Sequence, residues 1–309
     1  MKTMKRFFYI TVSSLLFGAG LTAQNQFNLS QYMLYHAFVN PAAIGNYEQL
    51  NGAVYHRSQW VGFDGAPTSQ GFNMNLPFKS ARHTIGLAYL HDQIGANNNN
   101  EISLGYAYKA RLTAKTSLLL GLMATANIMK TSYTTLALND AVDPSFNNNT
   151  TAVLPNFKYG MYLQNERYYV GIAVPNLMEN KIASGKGEVA FNADNLHYYL
   201  QAGYLFRLGA KSDLGLSTLV KQVSGSPLQA DLNLQYIFNK KFGIGASYRT
   251  SKDLVALVNF RITPMLKLAY SYDYTLSALR KYNSGSHEIM LIFNLVNDKK
   301  VIGAQVPSF

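Results

Sequence analysis

The chain has 309 residues, 14% of them charged, with 22 Tyr, 17 Phe and no Cys; a mean hydropathy of -0.05 is too polar for a bundle of membrane helices, and the aromatic content is too high for a disordered chain. Without Cys there is no disulfide framework, no thiolate metal site and no N-terminal lipid-modified Cys. A formal charge of +11 suits anionic lipid or nucleic acid, but no Lys/Arg run exceeds two residues, so no nucleic-acid partner is expected.

Lys2, Lys5 and Arg6 precede a mostly apolar run over 7–21, and Leu21-Thr22-Ala23 before Gln24 fits a small-residue cleavage site. Residues 1–23 therefore read as a secretory signal peptide, too short for a membrane anchor. The stretch 24–49 is not strand-like. Ser30 is placed to cap a short helix over 31–38, which Asn40-Pro41 should end, because the residue before Pro is pushed out of the helical region. This pre-barrel segment and the tail from Lys299 to Phe309 are the available fillers of a lumen.

From residue 50 to 296 the alternation predicts fourteen strands, at 50–60, 68–76, 83–91, 101–112, 116–130, 153–163, 167–174, 197–209, 212–222, 227–239, 241–250, 253–262, 265–275 and 286–296. Most have the length needed for a tilted strand to cross a bilayer. Leu228, Ala230, Leu232, Leu234, Tyr236 and Phe238 share one face; Gln229, Asp231, Asn233, Gln235 and Asn239 share the other. A soluble sandwich also alternates. Loop lengths decide: the even-to-odd links are tight, while 131–152, 175–196 and 276–285 are long, the asymmetry of an even-stranded outer-membrane barrel. The fold class is thus all-β, a transmembrane antiparallel barrel of about fourteen strands over 50–296, multi-pass in a bacterial outer membrane, with 297–309 as a periplasmic tail. Tyr89, Tyr108, Phe206, Phe238, Tyr248 and Tyr274 suit interfacial girdles, or simply reflect strand propensity.

Chemistry is thinly represented. The His residues, at 36, 56, 83, 91, 197 and 287, show no HxH or HExxH spacing, so no metal or cofactor is expected. His56 and Ser58 share the outward face of one strand, but no nucleophile elbow or triad order exists, and an enzyme is not expected. Ser184-Gly185-Lys186-Gly187 lacks phosphate-loop spacing. Asn139-Asp140-Ala141-Val142-Asp143 offers oxygen ligands without the order of a calcium loop. Facing the lumen, Lys109, Arg111, Arg207, Lys221, Arg249, Arg261 and Lys267 outnumber Asp231, Asp273 and Glu288, so the lumen is expected to be basic, conducting anions or holding a plug.

Gln31-Tyr32-Met33, Val39-Asn40-Pro41-Ala42-Ala43-Ile44-Gly45 and above all Tyr55-His56-Arg57-Ser58-Gln59-Trp60-Val61-Gly62-Phe63-Asp64-Gly65-Ala66-Pro67-Thr68 resemble the motifs of the PorP/SprF family of outer-membrane proteins associated with the type IX secretion system of Bacteroidetes. Ala43-Ile44 stands where that family more usually has Tyr-Ala. The resemblance implies a non-enzymatic barrel that works with type IX components. Such a barrel helps export a secreted adhesin or other cargo, or holds it at the cell surface through the cargo's C-terminal domain, and some members contact a periplasmic peptidoglycan-associated lipoprotein. It makes Asn40, Pro41, Arg57, Gln59, Trp60, Gly62, Phe63, Gly65, Ala66 and Pro67 motif residues and candidate partner contacts. Gly62, Gly65 and Pro67 are equally explained by chain reversal. Fourteen strands behind an Asn-Pro-Ala segment also look like the FadL class of transporters, which makes a channel for small hydrophobic or anionic solutes the alternative.

Overall fold

The computed structural model describes residues 28–132, 149–183, 186–190, 196–223 and 226–295. The strands are β1 (Asn51–Ser58), β2 (Thr68–Pro77), β3 (His83–Ile94), β4 (Asn97–Arg111), β5 (Ser117–Thr131), β6 (Thr150–Gln164), β7 (Tyr168–Val174), β8 (Glu179–Ala183), β9 (Lys186–Ala190), β10 (His197–Arg207), β11 (Ser212–Val223), β12 (Gln229–Phe238), β13 (Phe242–Arg249), β14 (Asp253–Thr263), β15 (Leu266–Thr275) and β16 (Ser286–Asn294). All but β8 and β9 form one closed antiparallel barrel of fourteen strands, sealed where β1 pairs with β16. The two-sided pattern of the sequence becomes the two faces of its wall. Leu104, Leu122, Ile172, Leu232, Ile244 and Phe260 are exposed outside, whereas Asn73, Ser103, Gln201, Asn233 and Ser271 are buried inside.

One end of the barrel carries the long connections 59–67, 132–149, 175–196 and 276–285, although the links 95–96 and 250–252 at that end are tight. The other end has short turns throughout, such as the three-residue link 239–241 between the register partners Phe238 and Phe242, in which Asn239 and Lys240 both have positive φ (52° and 54°).

Three local expectations fail. The 31–38 helix does not form: the chain makes a turn over 30–34, then 3-10 turns at His36–Phe38 and Pro41–Asn46. Tyr32, Met33, Leu34 and Tyr35 are all buried, so wall contacts on every side replace the one-faced packing that a helix would need. Pro41 opens the second 3-10 turn instead of ending a helix; Asn40 caps it by accepting from the Ala42 N–H at 2.9 Å, and the missing Pro N–H costs nothing there. The second miss is Asn97–Asn100, which belongs to β4 because pairing with 91–94 continues to a tight turn at Gly95 (φ 52°). The third is 175–196, which carries the β8–β9 hairpin. The signal peptide 1–23, the tail 297–309 and the Asn139–Asp143 run lie outside the described residues.

Residues 28–46 pass down the inside of the barrel. Asn28 accepts from Lys221 Nζ (3.2 Å) and Gln229 Nε2 (3.4 Å), beside the 224–228 link of the long-connection end. Glu48 lies 3.8 Å from Lys109 and 3.9 Å from Arg111, at the short-turn end. Between them Leu29, Tyr32, Met33, Val39, Ala42 and Ile44 pack with inward residues such as Leu119, Met123, Tyr162 and Met290 into one core. The lumen at this depth is packed protein.

Candidate functional site

Two different walls hold this plug. On the side of β1, β12, β13, β15 and β16 the contact is ionic. Arg57 pairs with Asp273 (2.7 Å) and Glu288 (3.1 Å), and Arg249 pairs with Asp231 (3.0 Å) and approaches Asp273 (3.5 Å), all with side chains at most 3% exposed. Ser30 completes the cluster: its hydroxyl donates to Asp273 (2.7 Å) and accepts from Arg57 (3.0 Å) and Arg249 (3.2 Å). The Glu288 carboxylate accepts the N–H groups of Ser30 and Gln31, both at 2.9 Å. Charge buried this deeply persists only when paired and hydrogen-bonded. Here the plug supplies part of that pairing.

On the side of β3 to β7 the contact is steric. A Cβ at Gly121 would lie 2.5 Å from Ala42 Cα and Pro41 C, and one at Gly160 would collide with Asn40 Oδ1. Missing side chains thus make a groove for the Asn40-Pro41-Ala42 backbone. Asn40 Nδ2 then donates to the carbonyls of Met161 (3.1 Å) and Ile172 (3.3 Å), tying the plug to β6 and β7. His36, on the plug and not on a strand, packs tilted against Tyr169 (4.4 Å between centroids, rings 57° apart) and lies 5.6 Å from Tyr162. Burial pushes its imidazole down to about 3, and the nearby Gln201 amide opposes that shift.

Above the plug, the long-connection end opens as a cavity of 630 Å³. Phe38, Val39 and Pro41 contribute its floor, and Asp92, Glu101 and Asn127 belong to its wall. Glu101 takes the Lys158 ammonium and the Ser103 hydroxyl (3.2 Å).

The motif turn 59–67 tops the same end. Gln59 N–H donates to Pro67 O (2.9 Å), Val61 exchanges backbone hydrogen bonds with Gly285 O (2.8 Å) and Ser284 N–H (2.7 Å), and Gly65 O accepts from Gly95 N–H (3.0 Å). Three connections are thereby stitched into one crown. Trp60 (φ 49°), Gly62 (φ 92°) and Gly65 (φ 69°) all adopt left-handed backbone, which explains the glycines by geometry. Phe63 is 47% exposed, and Tyr282, on the 276–285 connection stitched to this turn, is 67% exposed. Ala66 and Pro67 close the turn half-buried.

The sequence-nominated residues therefore separate. Asn40 and Pro41 belong to the plug, Arg57 to the ion cluster, and Gln59 to Pro67 to the crown. The expected excess of inward cations is offset locally, where Asp231, Asp273 and Glu288 pair with Arg57 and Arg249, and Arg111 and Arg207 sit at the short-turn mouth, 59% and 45% exposed, whereas Lys109 and Lys221 are buried inside. Arg57, Asp92, Glu101 and Lys158 were missed as lumen charges. Their parity was readable, since Arg57 follows buried Ala53 and Tyr55 at two-residue spacing. His56 Nε2 does meet Ser58 Oγ at 3.1 Å, on the exposed outer face.

A family model described as "Type IX secretion system membrane protein PorP/SprF" matches residues 21–293. The chain belongs to this family. As a PorP/SprF protein it is a secretion-system membrane barrel of the bacterial outer membrane. No curated protein matches it. Among solved structures, the CymD monoaromatic hydrocarbon channel is similar in fold, with 12% identity, a TM-score of 0.53, and coverage of 90% of this chain and 96% of that one. The Ralstonia pickettii toluene transporter TbuX has 9% identity, a TM-score of 0.48 and coverage of 86% and 93%. A Pseudomonas aeruginosa FadL homologue has 11%, 0.46, and 84% and 93%.

Proposed function

We propose that this PorP/SprF barrel acts as a docking platform: it helps export a secreted adhesin or other cargo, or holds it at the cell surface through the cargo's C-terminal domain, in company with other type IX components. The observation that carries this reading is the filled lumen. A barrel packed with its own residues 28–46 offers surfaces for function in place of a pore. The crown supplies one such surface, because Phe63, Leu279 and Tyr282 expose apolar side chains beyond the strands, where lipid does not explain them. The short-turn end is where a periplasmic peptidoglycan-associated lipoprotein would bind. Pull-down of the tagged barrel from detergent-solubilised outer membrane tests the platform, with co-purification of one large secreted protein as the expected result. Deleting 175–196 without loss of surface cargo would count against that connection as a contact.

The channel reading rests on the fold it shares with CymD and on the cavity at the outer end. It requires the plug to move. Steady single-channel conductance in planar bilayers by the intact barrel would favour it over docking.

A further inference from the structure

Apart from cargo, the outer cavity has the chemistry of a small-molecule site. Its 630 Å³ falls within the range of ligand pockets, and the plug closes it below. On its wall, Asp92 of β3 is directly opposite Asn99 of β4, and Glu101 of β4 is directly opposite Asn127 of β5. Opposed side chains on a sheet start about 5 Å apart, so four oxygen-bearing groups form one patch on three adjacent strands.

In two of these groups the amide oxygen lacks a partner. Asn127 is only 7% exposed, yet its Oδ1, like that of Asn99, has no hydrogen bond. A buried acceptor left unpaired is destabilising, and a donor arriving in the cavity would relieve that cost. The charges offer less to an ionic ligand, since Lys158 already neutralises Glu101. Met123, Met129 and Phe38 lie beside the patch, giving apolar faces next to hydrogen-bond acceptors.

We infer that the outer cavity binds a short uncharged saccharide. Its hydroxyls donate to Asn99, Asn127 and Asp92, and its C–H faces rest on Phe38 and the methionines. A hard cation is disfavoured because Glu101 would first have to release Lys158. An apolar solute is disfavoured because it would leave the Asn oxygens unpaired. The inference rests on the cavity alone, so a barrel that holds no cargo should still bind sugar.

The test is calorimetric titration of the intact protein in detergent with maltotriose, cellotriose, mannotriose and xylotriose, each separately. Binding of at least one is expected, weakened about tenfold in Asn127→Leu, the equivalent of about 1.4 kcal/mol. Folding of the variant is checked by its heat-modifiable mobility in SDS gels. Should Asn127→Leu not fold, Asn99→Ala at the less buried position is read in its place. Silence with all four sugars overturns the inference, as does sugar binding that neither variant weakens. So does saturable binding, lost in the same variants, of calcium alone or of a blocked tetra-alanine peptide when the sugars do not bind.

Discussion

The two sides of the plug seat are held by opposite physics. Against β1, β12, β13, β15 and β16, two guanidinium groups and three carboxylates surround Ser30, an arrangement that demands exact pairing and tolerates no unpartnered charge. Against β3 to β7, Gly121 and Gly160 provide only absence, a slot cut to the width of a backbone. The ionic wall holds the start of the plug; the glycine wall gives its backbone room to lie against the strands. A seat of either kind alone would permit sliding or rotation, and the pair removes both freedoms.

Each wall of the seat can be weakened separately. Arg57→Ala should have the largest effect, because Asp273 and Glu288 would stay buried with half their partners gone. A loss of roughly 3–5 kcal/mol should appear as lower barrel yield and earlier thermal unfolding in detergent. Replacing Arg57 and Glu288 together by Met and Gln should cost less than the sum of the single changes, and simple additivity would show that the network is not coupled. On the other wall, Gly121→Val should cost about 1–3 kcal/mol through overpacking and should raise protease access to 28–46; an unchanged digestion pattern would count against the groove.

Asn40→Ala removes a cap and two carbonyl contacts, for which about 0.5–2 kcal/mol is expected, read by the same unfolding assay. His36 gives the smallest effect at neutral pH. Its folded value of about 3 lies below the ordinary 6.5, so the unfolded chain binds a proton that the folded chain refuses as pH falls through that interval. Stability should be unaffected above about pH 7 and should decline between about 6.5 and 3. His36→Phe should flatten that acid limb in a pH series of melting temperatures.

Much of this architecture was legible in the sequence because alternation at period two is a direct imprint of a wall with lipid outside and protein inside. Every barrel strand was found that way, including short β7. The plug was not readable. Tyr32-Met33-Leu34-Tyr35 carries no period because it touches wall all round, and its seat is written in residues far away, such as Gly121, Gly160 and Glu288. The motif turn was visible as Gly, Trp and Pro, but its stitching to Gly95 and Gly285 is set by neighbouring connections. The cavity patch spans three strands and has no signature along any one of them.

The direction in which the plug descends constrains assembly. Residues that precede the first strand are clasped at the long-connection end by Glu288, 258 positions later in the chain for Ser30, while β16 also forms the seam with β1. A cylinder already sewn shut could take that segment only by threading it lengthwise through a slot with no room for it. The plug must therefore lie in place before the last strand zips onto the first, so that stopper and vessel are completed in a single closing step.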